Sequence, residues 1–351
     1  MNAGEAPIPL RKRGATLADV AEVAGVSPST ASRALNGRGD LAATTRAAVL
    51  EAAAALEFQP SAVARSLRTR TSFTVGFVVP DVASPFYAAA LKGAQQTLEE
   101  AGYRVMLMDS GQEQTGEIAA LRTLLNHQID GLLLATTGLS REQLDEITGR
   151  SSAPCVFFDS VVEGAGAGSV VLENELGIAL LLDHLVEHGH TAIALLAGSQ
   201  EETSGVERLH SFRATTARHG LTIPDGYERF CRWSLDDARL ETHELLGLPV
   251  PPSAVVASSA ELALGCLAAC REQGLSLPDD LALVSFDDAY FGALLEPALT
   301  AVAYEARDVG SAAAGVLVAA MRDLESERRE LRVPVTLVRR RSCGCPPESA
   351  G

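Results

Sequence analysis

Several acidic, basic and aromatic residues follow apolar segments, where their side chains could bind a small molecule. Asp159 and Asp287 end the apolar runs CVFFDS and LALVSFDD, and Arg208 lies at the start of a predicted helix. Carboxylates and a guanidinium each form two directed hydrogen bonds, and the ring of Trp233, the only tryptophan, offers a face for stacking. This combination favours a polyhydroxylated ligand.

Three more residues extend this predicted ligand site. Phe86 and Tyr87 lie in the segment PDVASPFY after the first apolar run, and Ser259 follows the run AVVAS. For some of these candidate residues, a structural role is the alternative. A single tryptophan often belongs to a core, Arg208 could form an ion pair, and Asp288 could cap a turn.

The same carboxylates are the only candidates for catalysis. Asp159, Asp287 and Asp288 could act as acids or bases, but the sequence contains no nucleophile elbow, phosphate loop or glycine-rich dinucleotide fingerprint. We therefore predict a binding protein without a cofactor, and not an enzyme.

Two groups of residues have spacings found in metal sites. The segment HLVEHGH contains His184, His188 and His190, the first two one helical turn apart, and the segment CGC contains Cys343 and Cys345. A glycine is expected to end the helix between the second and third histidines, and no second cysteine pair lies near the first in the sequence. Each group by itself is incomplete, so we predict no metal site.

The segment TLADVAEVAGVSPSTASRALN, residues 16–36, has the pattern of two short helices joined by a tight turn. Apolar residues recur at helical spacing behind Thr16, Gly25 breaks the pattern, and Ser27 with Pro28 begins a second helix. An ordinary helical hairpin would present long Lys and Glu side chains on its outer face. Here that face carries short hydroxyls, one Arg and one Asn, which favours a helix-turn-helix that enters a DNA major groove.

The predicted DNA contacts of this segment form two groups. Ser29 and Arg33 are the candidates for base readout, since they lie on the outer face of the second helix. The other outward polar residues, most of them expected to hold phosphates, are Thr16, Ser27, Thr30, Ser32 and Asn36.

The motif TLADVAEVAGVS followed by T-x-S-R-x-LN resembles the signature of the lac-repressor family, and the resemblance covers roughly residues 15–342. It implies that SAVARSLR, residues 61–68, is a hinge helix that folds when two copies pair over a bent operator. Leu67 would then be a wedge between base steps in the minor groove, Ala64 would permit close approach, and Arg68 would belong to the same contact surface. A plain linker is the alternative.

The resemblance also implies a body like a periplasmic sugar-binding protein, with the effector in a cleft between two lobes. It supports Phe86, Arg208, Trp233 and Asp287 most directly, because their surrounding motifs align. The chain departs from the family at Ser258-Ser259-Ala260, where members typically have Asn-Asp, and at the residue after Asp159, where many members carry Arg. These departures permit a ligand other than a common hexose or pentose.

The rest of the sequence consists of short, continuous apolar runs separated by amphipathic stretches. This pattern is typical of parallel sheets covered by helices on both faces. We predict an α/β fold: a three-helix headpiece with a hinge helix, followed by two doubly wound parallel lobes. The ligand would lie at the carboxyl ends of the strands.

Domain boundaries follow from breaks in these patterns. The glycine-rich segment 164–168 interrupts the strand series and is expected to separate the lobes, and LRVPVTLVRRR is expected to form one final strand. The predicted divisions are a disordered arm at 1–14, a headpiece at 15–58, a hinge and linker at 59–71, a body at 72–342 and a tail at 343–351. The family resemblance implies that the chain crosses between the lobes three times, which we place near 161–168, 287–293 and 326–332. The lobes would then be 72–161 with 292–327, and 162–291 with 328–342.

Charge is distributed unevenly over the 351 residues, whose formal net charge is −16. Residues 1–70 carry 9 basic and 6 acidic side chains, so the acidic excess lies entirely in the rest of the chain. This split favours a small DNA-facing head on an acidic body. The sequence has no apolar run of about eighteen residues and no secretory signal, so we expect a cytoplasmic protein without a membrane contact.

The expected partners follow from this assignment. No leucine heptad follows the last predicted strand, so we expect a homodimer that reads a near-palindromic operator and responds to a small molecule. We predict a repressor. The alternative is a cytoplasmic small-molecule sensor that has lost its operator function.

Overall fold

The computed structural model describes residues 15–35, 41–58, 71–149, 151–323 and 327–345. The chain divides into two units, Met1–Ser72 and Phe73–Gly351. The predicted arm at 1–14 and the predicted DNA contacts Asn36, Ala64, Leu67 and Arg68 lie outside the described residues.

The described residues of the first unit form three helices: α1 (Leu17–Val23), α2 (Pro28–Leu35) and α3 (Ala43–Ala55). Thr16 caps α1 in a capping box, in which its hydroxyl accepts from the backbone of Asp19 and the Asp19 carboxylate accepts in return. Gly25, with a φ of +64°, makes the turn to α2. Small apolar residues of all three helices, among them Val20, Ala31 and Val49, form the core.

The second unit contains two six-stranded sheets with helices between the strands. Its strands are β1 (Thr74–Val79), β2 (Arg104–Asp109), β3 (Gly131–Leu134), β4 (Cys155–Phe158), β5 (Gly168–Leu172), β6 (Ile193–Ala197), β7 (Glu228–Phe230), β8 (Ala254–Ala257), β9 (Ala282–Phe286), β10 (Thr300–Ala303), β11 (Arg329–Val333) and β12 (Thr336–Val338). Its helices are α4 (Pro85–Glu100), α5 (Gln114–Asn126), α6 (Arg141–Thr148), α7 (Asn174–Glu187), α8 (Thr203–Arg218), α9 (Leu235–Leu246), α10 (Ala260–Glu272) and α11 (Ala306–Arg322), with a short 3₁₀ turn at Gly292–Leu294.

The two sheets have matching strand orders, β11-β5-β4-β3-β1-β2 and β12-β10-β9-β8-β6-β7. All pairings are parallel except that of β12 with β10. The central strands are buried on both faces, as their continuous apolar sequences predict. Each fully buried Val or Leu contributes about 1.5–3 kcal/mol to the stability of these sheets.

The predicted lobe boundaries are wrong in three places. The strand β5 lies in the first sheet, so the glycine-rich segment before it does not separate the lobes. Gly168 instead permits a close backbone contact, because a Cβ there would lie 2.5 Å from the carbonyl oxygen of Arg329 on β11. The strand β10 lies in the second sheet and β11 in the first, each opposite to the prediction.

The predicted final strand is two strands in different sheets. Pro334 has no N–H for a ladder and lies between the end of β11 at Val333 and the start of β12 at Thr336. The chain therefore crosses between lobes after β5, after β10, and between β11 and β12. None of the helices in the described ranges has the length and apolar character that crossing a membrane requires.

Candidate functional site

A cavity of about 510 Å³, including its open mouth, lies at the carboxyl ends of strands from both sheets. All the residues that the sequence analysis proposed for the ligand site lie in its wall: Phe86, Tyr87, Asp159, Arg208, Trp233, Ser259 and Asp287. The sequence analysis missed the other wall residues, which are Pro80, Asp81, Ser84, Gln112, Ser204, Glu261 and Tyr304. The position is the one expected for ligands of open parallel sheets. That these residues bind an effector stays a prediction.

Arg208 is buried and rigidly held in the second lobe. Its Nε donates to Oδ1 of Asn174 at 2.9 Å, and Nη1 donates to the backbone oxygen of Ser258 at 2.6 Å. Its Cζ lies 3.7 Å from the ring centroid of Phe286 and 5.6 Å from that of Trp233. These contacts with described residues use two of the five N–H groups of the guanidinium, whose plane is fixed against two aromatic rings.

Asp159 follows β4 and pairs with an aromatic hydroxyl. The hydroxyl of Tyr87 donates to Oδ2 of Asp159 at 2.8 Å. Burial raises the pKa of Asp159 to about 6, although the nearby charge of Arg208 and the tyrosine hydrogen bond oppose this shift. The carboxyl group is therefore partly protonated near neutral pH, and it can either accept or donate a hydrogen bond.

A second pair of the same kind lies in the other lobe. Asp287 follows β9, its Oδ1 accepts from the hydroxyl of Tyr304, and its Oδ2 accepts from the backbone of Ala260 at 3.4 Å. Tyr304 was not predicted because the short run TAVA, which forms β10, was not recognised as a strand. The signal that could have found it is the apolar run at β10, whose carboxyl end it follows.

Trp233 is a wall residue whose ring is held in place from two sides. Its Nε1 donates to Oε1 of Glu202 at 2.9 Å, and Gly198 makes room for the ring, since a Cβ there would lie 2.0 Å from it. Glu202 is buried, and burial together with the charge of Asp159 raises its pKa to about 8. The sequence analysis did not identify Glu202, which precedes α8 in an unremarkable polar segment.

Hydrogen bonds join the two lobes beside the cavity. Nε2 of Gln112 in the first lobe donates to the backbone oxygen of Trp233 in the second at 3.2 Å. The hydroxyls of Ser160 and Ser204 lie 3.0 Å apart across the same gap. The cavity is therefore enclosed by groups from both lobes.

Two predicted polar residues have structural partners. The hydroxyl of Ser259 accepts from the backbone of Leu262 at 3.3 Å and caps α10, although the residue also lines the cavity. Asp288 forms a two-point ion pair with Arg340 at 2.6 and 2.7 Å and is not in the cavity wall.

The described DNA-contact candidates lie on α2 or directly before it, except Thr16, which precedes α1. Ser27, Ser29 and Arg33 are exposed, whereas Ala31 and Ala34 on the opposite face are buried. The hydroxyl of Ser27 lies 2.8 Å from that of Ser29 and 2.9 Å from that of Thr30. Thr30 and Ser32 are half-buried, and the hydroxyl of Thr16 already accepts a hydrogen bond in the capping box of α1. Contact of these groups with DNA stays a prediction.

The prediction that the histidine group and the cysteine group are separate and incomplete is wrong, because the fold brings members of both groups together. His184, His188, Cys343 and Cys345 present their ligand atoms to one another within 4.8 Å. The strand β12 brings the two segments together, because it returns the end of the chain to the second lobe beside α7.

Comparison with known proteins identifies the family. The model for bacterial regulatory proteins of the lacI family matches residues 16–61, and that for a periplasmic binding protein-like domain matches residues 182–343. The HTH-type transcriptional repressor PurR of Vibrio cholerae is 30% identical over 326 residues, covering 93% of this chain and 97% of its own. The chain belongs to the lacI family. A second relative is the ribose operon repressor of Escherichia coli, which is 29% identical to this lacI-family chain. The match covers 93% of this chain and 99% of the repressor.

Solved structures agree with this family assignment. The lac repressor dimer bound to operator and the anti-inducer ONPF has a TM-score of 0.84 at 27% identity, covering 94% of this chain and 99% of its own. The predictions of family, fold class and function are therefore confirmed: this lacI-family chain is a DNA-binding transcriptional regulator that responds to a small molecule. These relatives are regulators rather than enzymes.

Proposed function

We propose that this lacI-family protein is a homodimeric repressor that acts on a near-palindromic operator in the cytoplasm and responds to a neutral polyhydroxylated effector. Each α2 would enter a major groove, with Ser29 and Arg33 reading bases and the neighbouring hydroxyls holding phosphates. The exposed, short-chain face at the start of α2 supports this orientation.

The composition of the cavity wall carries the proposal for the effector class. Among the residues that the structure describes, four carboxyl groups line the cavity, those of Asp81, Asp159, Glu261 and Asp287, and Arg208 is the only basic residue in the wall. This excess of acid disfavours an anionic ligand such as a sugar phosphate. Carboxylates that already accept from tyrosine hydroxyls have remaining lone pairs for ligand hydroxyls, and Trp233 and Phe86 offer apolar faces to ring carbons.

The proposed mechanism couples the cavity to DNA through the two lobes. Tyr87 and Asp159 belong to the first lobe, whereas Arg208, Trp233 and Asp287 belong to the second. An effector that bonds to both sets favours one angle between the lobes, and this changes the separation of the two hinge segments in the dimer. A coupling of about 1–3 kcal/mol would change operator affinity about 5- to 150-fold.

The effector class is tested by thermal unfolding in the presence of neutral sugars, nucleosides, sugar phosphates and purines. A ligand present at about a hundred times its dissociation constant adds ~2.7 kcal/mol to the free energy of unfolding. We expect stabilisation by a neutral sugar or nucleoside. Stabilisation by sugar phosphates alone would contradict the inference from the acidic wall.

Operator function is tested by selecting duplexes from a random DNA library and measuring their affinity by fluorescence anisotropy. We expect the selection to enrich a near-palindromic duplex. Arg33→Ala should weaken the free energy of binding to this duplex by about 1–3 kcal/mol. The control is Arg104→Ala, because that side chain is 82% exposed in the second unit. Failure to enrich any sequence would favour the alternative of a sensor without operator function.

A further inference from the structure

Four potential metal ligands from two distant segments converge at the C-terminal end of α7. His184 lies in the last turn of this helix, and His188, one helical turn further on, is its C-cap. Cys343 and Cys345 follow β12. His184 Nε2 lies 3.1 Å from Cys343 Sγ, and His188 Nε2 lies 3.2 Å from Cys345 Sγ. The two sulfurs are 3.3 Å apart, and Cys345 Sγ is 3.4 Å from His184 Nε2.

We propose that His184, His188, Cys343 and Cys345 bind one zinc ion as a closed tetrahedral site. Thiolate and imidazole are the preferred ligands of zinc, and four protein ligands fill a tetrahedral sphere, as in structural sites. Zn–S bonds of about 2.3 Å and Zn–N bonds of about 2.0 Å place neighbouring ligand atoms roughly 3.3–3.8 Å apart. The four separations given above, 3.1–3.4 Å, would widen by up to about half an ångström, and the other two are within 4.8 Å before any metal is bound.

Charge and burial fit this ion. Cys343 and His184 are buried, whereas His188 is exposed and Cys345 is half-buried, so solvent reaches one side of the cluster. Each thiol releases its proton to solvent when it binds the metal, and the two thiolates then neutralise the charge of Zn²⁺. A neutral site of this kind can be partly buried without an uncompensated charge.

Neighbouring hydrogen bonds orient the ligands. The Nδ1 of His188 lies 3.0 Å from the backbone oxygen of His184, to which it can donate, leaving Nε2 for the metal. The hydroxyl of Thr300 lies 3.0 Å from Cys343 Sγ and can donate to the thiolate. The third histidine, His190, has its Nδ1 3.0 Å from the hydroxyl of Ser253 and lies outside the cluster.

The site is separate from the effector cavity. The backbone N–H of Leu283 near the start of β9 donates to the oxygen of Ser342, and the backbone N–H of Thr300 at the start of β10 donates to the Ser342 hydroxyl. The cysteines therefore lie near the amino ends of these strands, whereas the cavity lies at the carboxyl ends. A zinc ion here would hold the segment after β12 on α7 and stabilise the second lobe.

Zinc content of the full chain is the direct test. The protein is expressed with added zinc, purified under reducing conditions without metal-affinity steps, and analysed by elemental mass spectrometry. We expect one zinc per chain, and a large loss of bound zinc in His188→Ala. The matched control is His127→Ala, because His127 is also an exposed C-cap histidine, on α5. Equal zinc content in the two variants, or none in the wild type, would overturn the proposal.

Cobalt titration of the metal-free wild type needs no variant and so avoids any folding defect. We expect thiolate-to-cobalt charge-transfer absorption and the intense visible bands of tetrahedral Co²⁺, both displaced by zinc. A weak octahedral spectrum would contradict the site. All six cysteines are unpaired thiols here, so a disulfide between Cys343 and Cys345 in the freshly reduced, zinc-supplemented protein would also overturn it.

Thermal unfolding separates a structural ion from one bound loosely at the surface. Removal of zinc by a chelator should lower the melting temperature of the wild type and of His127→Ala, but not that of His188→Ala. An unchanged wild-type melting temperature after complete zinc removal would contradict the stabilising role.

Discussion

Asp159 and Asp287 occupy equivalent positions in the two lobes and face the same cavity. Each is the first residue after the third strand of its sheet, β4 or β9 in the matching strand orders. Each has a positive φ, +65° and +82°, and each accepts a hydrogen bond from a tyrosine hydroxyl. This backbone conformation turns both carboxyl groups toward the cavity, in agreement with the role in effector binding that we propose for them.

Replacing either aspartate by asparagine should weaken effector binding. The amide keeps an oxygen that can accept from Tyr87 or Tyr304, so the fold is retained, but the charged hydrogen bond to the ligand is lost. The loss of this hydrogen bond should weaken the free energy of effector binding by about 1.5–3 kcal/mol. The dissociation constant measured by calorimetry should therefore rise about 10- to 150-fold. The control is Asp145→Asn on α6, where the carboxylate is exposed and pairs with Arg141. Unchanged affinity in both cavity variants would remove the pair from the effector site.

Arg208→Ala should abolish the effector response while leaving operator affinity nearly intact. It should also lower the free energy of unfolding by about 1–3 kcal/mol, because Asn174 and the backbone oxygen of Ser258 lose a buried charged donor. Operator affinity with and without effector, together with urea denaturation, measures both effects. The control is Arg213→Ala, because Arg213 lies on the same helix as Arg208 and forms an exposed ion pair with Glu228. This change should lower the free energy of unfolding by at most about 1 kcal/mol. A retained response in Arg208→Ala would contradict its role.

Stability should fall as pH rises from about 4 to about 8, owing in part to Glu202. Its pKa is about 8 in the folded protein, whereas the unfolded chain loses this proton near pH 4.3. Between these values the folded state binds more protons, so the free energy of unfolding decreases with increasing pH. Asp159, with a folded pKa of about 6, acts in the same direction up to that pH.

The variant Glu202→Gln should flatten this decline, because its amide keeps the oxygen that accepts from Trp233 but does not titrate. Chemical denaturation at several pH values between about 4 and 8 measures the effect. The adjacent, exposed Glu201 supplies the control Glu201→Gln, for which the wild-type slope should persist. The same slope in both variants would show that Glu202 does not carry the dependence.

Leu67→Ala should weaken binding to the specific operator far more than binding to random DNA. This expectation rests on the family resemblance, by which Leu67 is the minor-groove wedge, and wedging matters only where the duplex is kinked. Anisotropy titrations with the selected duplex and a scrambled duplex measure both affinities. Equal losses on the two duplexes would contradict the wedge role.

The sequence by itself predicted the local elements and half of the residues that line the cavity. Helix caps, the turn at Gly25 and continuous apolar runs depend on neighbouring residues, so α1, α2 and the central strands could be inferred directly. Asp159, Arg208 and Asp287 could be inferred because parallel strands bring their carboxyl ends to a common edge, whichever sheet each strand joins.

Only the tertiary structure decided which strands share a sheet and which distant side chains meet. The strands β5 and β10 are short apolar runs and β11 is a short charged edge strand, so each fits either lobe. The sheet that each strand joins depends on pairing with strands far along the chain. For the same reason, the sequence did not reveal the meeting of His184 and His188 with Cys343 and Cys345. The return of β12 to the second lobe closes a separation of more than 150 residues, which no local spacing encodes.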